Sequence, residues 1–265
     1  MAPFHLCQPG GGPSCGACCG LYNFGDHSRE AITQVLARQT DAVAEAPRTQ
    51  EAFHAVARDS RALQPPPAFA QVRVCPLLGF LDRSRTKVGC LAHPLQNGGV
   101  DLRDCGVYTA DVCETFECPS FIWLTDAQAR LVRAACPDWY LYGLVITDVE
   151  LVRGTLRLLE DTLAHPVDPD ALIASETALD AVHALFSLKE TARDTAGGDS
   201  FGRFVPDPEG EPLLRTIDYA GLGARTAPED DLVLCLGMAT RTAEALRDAR
   251  ASVRARLDAV AAALG

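Results

Sequence analysis

Cys15-Gly16-Ala17-Cys18-Cys19 is the stretch on which the reading of this chain turns. Two cysteines separated by two residues form a tight turn, so both sulfurs can reach one metal ion. Gly16 suits such a turn because it tolerates positive φ. A lone CxxC also occurs in redox dithiols, but those sit at a strand-to-helix junction and need no further cysteines. Here no strand precedes the motif, and more cysteines follow. Cys19 adjoins Cys18, and neighbouring side chains diverge, so Cys19 points to a second centre or to a bridge between two metals.

Working outward, the next cysteines are Cys75, Cys90, Cys105, Cys113 and Cys118. With Cys15, Cys18 and Cys19 they make eight candidate ligands. Eight thiolates divide into two four-ligand sites, or into one four-iron cluster and one zinc. The expected cofactor is therefore zinc or an iron–sulfur cluster, and thiolate ligands accept both. Cys19 and Cys75 are 56 positions apart, so a metal held by both halves of the set closes a long loop and couples to folding.

The order Cys-x-x-Cys-Cys, Cys75-Pro76-Leu77-Leu78, Gly89-Cys90, Cys105-Gly106-Val107-Tyr108 and Cys113-x-x-Phe116-x-Cys118 resembles the YkgJ-like cysteine-cluster family over roughly residues 14–120. The resemblance implies a zinc- or iron-chelating domain with eight characteristic cysteines. Some members are associated with lysine methylation of flagellin, so it also implies an alternative: an iron–sulfur-dependent, protein-modifying enzyme. The chain departs from the family after Tyr108. Thr109-Ala110-Asp111-Val112 is two residues shorter than the family's spacing and lacks its Arg-Pro.

The remaining cysteines, Cys7, Cys136 and Cys235, read as structural thiols, because free cysteine is among the most buried residue types, with an accessory ligand the lesser reading of Cys7. His93, three residues after Cys90, has ligand spacing but reads better as a loop histidine. His27 reads the same way. Arg103, between Asp101 and Asp104, either donates to thiolates or sits in a solvated turn. The chain contains no phosphate-binding or dinucleotide-binding glycine motif and no local nucleophile triad.

Composition narrows the class. The chain has 265 residues, 48% hydrophobic and 22% charged, which suffices for a sizeable core without metal as a substitute. The net charge is −11 and the only lysines are Lys87 and Lys189. Nucleic acid is not an expected partner, since phosphate contacts need clustered Lys and Arg. No apolar run reaches membrane-spanning length. The start of the chain lacks a secretory pattern. The expected location is the cytoplasm, where thiols stay reduced and clustered cysteines favour metal over disulfides. A partner protein or substrate is left unspecified.

The expected fold is mainly α, an irregular cysteine-rich, metal-stapled lobe (residues 1–122, with inserted helices over 28–63) packed on a helical lobe (residues 123–265). Ser28 and Thr49 open helices, and Pro65-Pro66-Pro67 stops the second. Residues 71–74 and 77–81 read as strands. Thr125/Gln128 and Thr147/Glu150 read as capping boxes. Asp168-Pro169 opens a helix that buries Leu172, Ile173, Leu179, Val182 and Phe186. Residues 194–212 read as a loop. Pro228 begins a last long helix whose stripe of Ala239, Leu246, Val253 and Val260 packs within the chain. Trp123, Trp139, Tyr140 and Tyr142 are expected at the seam between the halves.

Overall fold

The computed structural model describes residues 4–193 and 202–265, and the protein is mainly helical. Its helices begin where short polar side chains can take the first orphan N–H groups. The Ser28 hydroxyl accepts from Ala31 N–H at 3.2 Å and opens α1 (Arg29–Ala44). Thr49 accepts from Ala52 N–H and opens α2 (Gln50–Ala62). The hairpin β1 (Leu78–Phe80) and β2 (Val88–Cys90) is antiparallel, with Leu78 opposite Cys90 and Phe80 opposite Val88. The strand expected over residues 71–74 is a turn instead. Asn23 explains this: its amide donates to the carbonyls of Phe69 and Val72 at 2.9 and 2.8 Å and accepts from Phe69 N–H at 2.8 Å. A side chain has taken bonds that a neighbouring strand would need.

Two short helices follow, α3 (Ala110–Thr115) and α4 (Pro119–Trp123). The Thr125/Gln128 capping box then opens α5 (Asp126–Ala135), and Cys136-Pro137 ends it. Asp138 caps α6 (Trp139–Ile146), in which every residue is buried. No amphipathic period marks α6, because eight consecutive buried positions leave none to detect.

In α7 (Val149–Leu163) the cap is Asp148, which accepts from Leu151 N–H at 2.9 Å, and not Thr147. Thr147 donates its hydroxyl back to Gly143 O at 2.7 Å. The helix expected after Asp168 is two, α8 (Pro169–Ala174) and α9 (Glu176–Phe186), because the Ser175 hydroxyl accepts from Ala178 N–H and starts the second. A single turn, α10 (Leu188–Thr191), follows. Of the expected loop, residues 194–201 lie outside the described residues. The rest contains a hairpin, β3 (Phe204–Pro206) with β4 (Pro212–Leu214). The last helix also divides: α11 (Asp230–Cys235) ends at Gly237, whose φ is +69°, and Thr242 caps α12 (Ala243–Leu264). Leu246, Val253, Leu257 and Val260 are buried, and α12 packs mainly on α9 and α7.

The largest apolar cluster joins α5 to α9 with α11 and α12, and takes in Leu6 and Cys15 from the start of the chain. A second joins Leu21, Tyr22 and Phe24 with α1, the first hairpin, and Trp139, Tyr140 and Leu144 of α6. A third lies among α1, α2, Leu77, Leu91, Leu102 and Cys105. Helix α6 thus belongs to two cores. Tyr140 and Tyr142 donate their hydroxyls to His27 O and Leu6 O, each at 2.8 Å. Trp139, Tyr140 and Tyr142 sit at the seam as expected, whereas Trp123 is exposed.

Candidate metal centre

The cysteines are brought together by backbone, from the turn outward. Residues Ala17–Cys19 form one 3₁₀ turn, closed by Gly20 at φ +83°. A Cβ at Gly20 would sit 2.3 Å from Arg73 O, so only glycine lets residues 73–75 approach. That approach allows Cys75 N–H to donate to Cys19 O at 2.9 Å. On the other side, Cys15 N–H donates to Cys7 O at 2.9 Å and brings in the chain start. The first hairpin adds Cys90, and α3 and α4 add Cys113 and Cys118.

Eleven free cysteines are present and none is bonded to another. Thiols close enough to act on one another's charge fall into two overlapping neighbourhoods. In the first, burial raises the Cys15 thiol above its usual range, and Cys7 and Cys118 add to the effect. Burial and Cys118 push Cys7 up to about 11. Cys18 and Cys118 are a hydrogen-bonded pair: Cys18 keeps its proton, and Cys118 is lowered, first by that donated bond. In the second group, burial raises Cys19 well above the usual thiol range, followed by the charges of Cys75, Cys90, Cys7 and Cys113. Burial and then Cys75 push Cys90 up to about 12, while Arg103 opposes. Cys75 and Cys113 are likewise raised by burial. Cys7 acts on Cys19 too, so the two groups are neighbours.

Of the eight expected ligands, Cys15, Cys18 and Cys118 lie in the first neighbourhood and Cys19, Cys75, Cys90 and Cys113 in the second. Cys105 does not join them. It is buried in the third core, and its thiol donates to Gln50 O at 3.5 Å. Cys7, read from the sequence as a structural thiol, stands with the first group. The only signal for it was its position ahead of Cys15, and the seven residues between them match no usual ligand spacing. Cys136 and Cys235 are buried in the main core, as expected.

The polar neighbours sort as follows. His93 Nδ1 accepts from Leu95 N–H at 3.2 Å and caps a 3₁₀ turn, which suits its reading as a loop histidine. His27 is buried, with Nδ1 3.2 Å from Phe24 O. Arg103 is buried and held by Asp101 at 2.6 Å and Glu114 at 3.1 Å. Its charge favours the thiolates of Cys90 and Cys113 from a fixed position.

Among the described residues, no three His, Cys, Asp or Glu side chains converge on one point as a metal shell requires. The donor chemistry nonetheless suits a thiophilic metal: eight sulfurs in two neighbourhoods, with Cys15 buried, six half-buried and Cys113 exposed. Burial keeps most of these thiols protonated, so binding would release protons and bring the sulfurs inward.

Beyond the first group lies a cleft of about 1210 Å³ between α4, α7 and the second hairpin. Pro119 and Trp123 line one side, and Lys189, Arg203 and Phe204 the other. Lys189 is buried there, paired with Asp148 and donating to Cys235 O at 2.9 Å.

No family model, no curated protein and no solved structure matches the chain.

Proposed function

We propose that this protein binds zinc or an iron–sulfur centre through two groups of four cysteines. Cys7, Cys15, Cys18 and Cys118 would hold the first, and Cys19, Cys75, Cys90 and Cys113 the second. The observation that supports the reading is that eight thiols from separate segments of chain lie close enough to act on one another's charge. A bound metal would supply a cross-link between residues 7–19 and 75–118, or electron transfer if it is an iron–sulfur cluster. Eleven free thiols suit a reducing compartment, and the cytoplasm is the proposed location. The YkgJ-like resemblance points the same way on metal.

A second reading is an iron–sulfur-dependent enzyme acting on a protein. One observation favours it: the large cleft begins at Pro119, next to Cys118. Zinc at both centres would exclude this reading, since closed four-thiolate zinc leaves no position for substrate.

The deciding measurement is metal and acid-labile sulfide analysis of protein purified without oxygen, with a visible spectrum. Folded protein that contains neither zinc nor iron defeats both readings. Ligand identity has its own test. Cys7→Ser should lower metal content, whereas Cys105→Ser should leave it unchanged; the reverse result means the division into two groups is wrong.

A further inference from the structure

Large apolar side chains in water are informative only where they gather. Four lie on two successive short helices within one stretch of twelve residues: Val112 is 42% exposed, Phe116 57%, Ile122 69% and Trp123 60%. Val112 and Phe116 are four apart, at α3 and its C-cap, and so lie on one side of it. The same stretch is acidic. From Thr109 to Asp126 there are four carboxylates, at Asp111, Glu114, Glu117 and Asp126, and no Lys or Arg.

The backbone under these residues is fixed. Thr109 accepts from Val112 N–H, Asp104 accepts from Ala110 N–H at 2.7 Å, and Arg103 holds Glu114 at 3.1 Å. A pre-organised surface loses little conformational freedom when it is covered. Arg103 is itself shared with Asp101, so the surface keeps an excess of negative charge. On the cleft side, which Trp123 reaches, four cationic side chains are matched by four carboxylates and add no net charge.

We propose that residues 110–123 form a docking surface for a basic, amphipathic segment of a partner protein. The partner's apolar side chains cover Val112, Phe116, Ile122 and Trp123, and its Lys or Arg side chains face Asp111 and Glu117. Charge complementarity selects this occupant: an acidic or neutral segment would cover the same apolar area but leave the carboxylates unmatched. The chain's net charge of −11 steers a basic partner toward it over distance. The inference goes beyond the metal reading and does not depend on it.

The test uses the full-length protein and two fluorescein-labelled synthetic helices. One has leucine on one face and lysine on the other; its twin has glutamate for lysine. Anisotropy should show binding of the lysine helix, weakening as salt rises, and at least tenfold weaker binding of the glutamate helix. Asp111→Asn with Glu117→Gln should lower affinity about tenfold, as should Phe116→Ser with Trp123→Ser. Both pairs are on the surface, and circular dichroism checks that the fold is retained. Asp248→Asn with Asp258→Asn makes the same charge change on exposed positions of α12 and should alter affinity less than twofold. Equal binding of the two helices, or equal loss in the α12 control, overturns the proposal. Concentration-dependent dimerisation that Phe116→Ser abolishes overturns it too, by making a second copy of this chain the occupant.

Discussion

The two halves of the chain bury their interiors by different means. From α5 onward, helices of up to 22 residues pack on one another, and one large cluster of Leu, Val, Phe and Ala fills the space between them. Up to α4, the ordered pieces after α2 are three-residue strands, single turns and short helices, over smaller cores. Nine of the eleven cysteines belong to this first half. Helices satisfy their own backbone and need only an apolar face to dock. Short irregular segments do neither, and here they rely on side chains such as Asn23 and Ser14, whose hydroxyl accepts from Val88 N–H at 2.8 Å. A half built this way has most to gain from cross-links, and it is the half that is rich in cysteine.

If metal is bound as proposed, its removal is the strongest way to test this contrast. With metal bound, the two halves should unfold together. Chelation should melt residues 4–123 first, at a cost on the order of 10 kcal/mol, the scale of structural zinc in small peptides. Limited proteolysis should then cut the first half while far-UV circular dichroism keeps much of the helical signal. Resistance of both halves to proteases after complete metal removal would abolish the distinction. Phe186→Ala should do the opposite. Phe186 is fully buried in the helical core, and its truncation should destabilise by about 3–5 kcal/mol in chemical denaturation. Metal content should stay unchanged.

The seam between the halves is addressed by Gly143→Ala. A Cβ there would lie 2.0 Å from the Tyr22 hydroxyl oxygen, which bonds the carbonyls of Trp139 and Tyr140 at 3.2 and 3.0 Å. The expected loss is about 1–3 kcal/mol from overpacking. Adding Tyr22→Phe to it should recover part of that, because the clashing oxygen is gone. If the double variant is no better than Gly143→Ala alone, the seam does not pack at this contact.

The smallest effect concerns pH. Asp82 sits in the turn between β1 and β2, and its carboxylate is held at about 2. Burial opposes this, but bonds from Ser84 and Thr86 and from the N–H groups of Thr86 and Lys87 outweigh it. A depressed folded pKa contributes stability above the unfolded value, near 4, and that contribution is lost as pH falls toward 2. Asp82→Asn should therefore lower the melting temperature at pH 7 and make little difference at pH 2. An equal loss at both values would assign the effect to packing.

Much of the helical architecture was readable because its signals are local. Ser28, Thr49, the Thr125/Gln128 box and Asp168-Pro169 all cap as expected, since a cap needs only its own next three residues. Where two caps compete, the sequence was ambiguous. Asp148 displaced Thr147, and Ser175 and Thr242 each started a helix inside a stretch that read as continuous. Helix α6 left no periodic trace because it is buried on all sides. The turn at residues 71–74 depends on Asn23, almost fifty positions away, and no local reading includes such a partner.

The candidate site divides in the same way. The sequence by itself identified the candidate ligands, because the short intervals among Cys15, Cys18 and Cys19 and between Cys113 and Cys118 are properties of neighbouring residues. It also set the excess of negative charge and the positions of most helices. Only the tertiary structure decided which thiol stands with which. The Gly20 turn sends Cys19 toward Cys75 while Cys18 meets Cys118, the chain start brings in Cys7, and α2 takes Cys105 through Gln50. Ligand type is encoded in single residues and short spacings. Ligand grouping depends on loop closures across tens of residues, and those are fixed by packing and backbone hydrogen bonds.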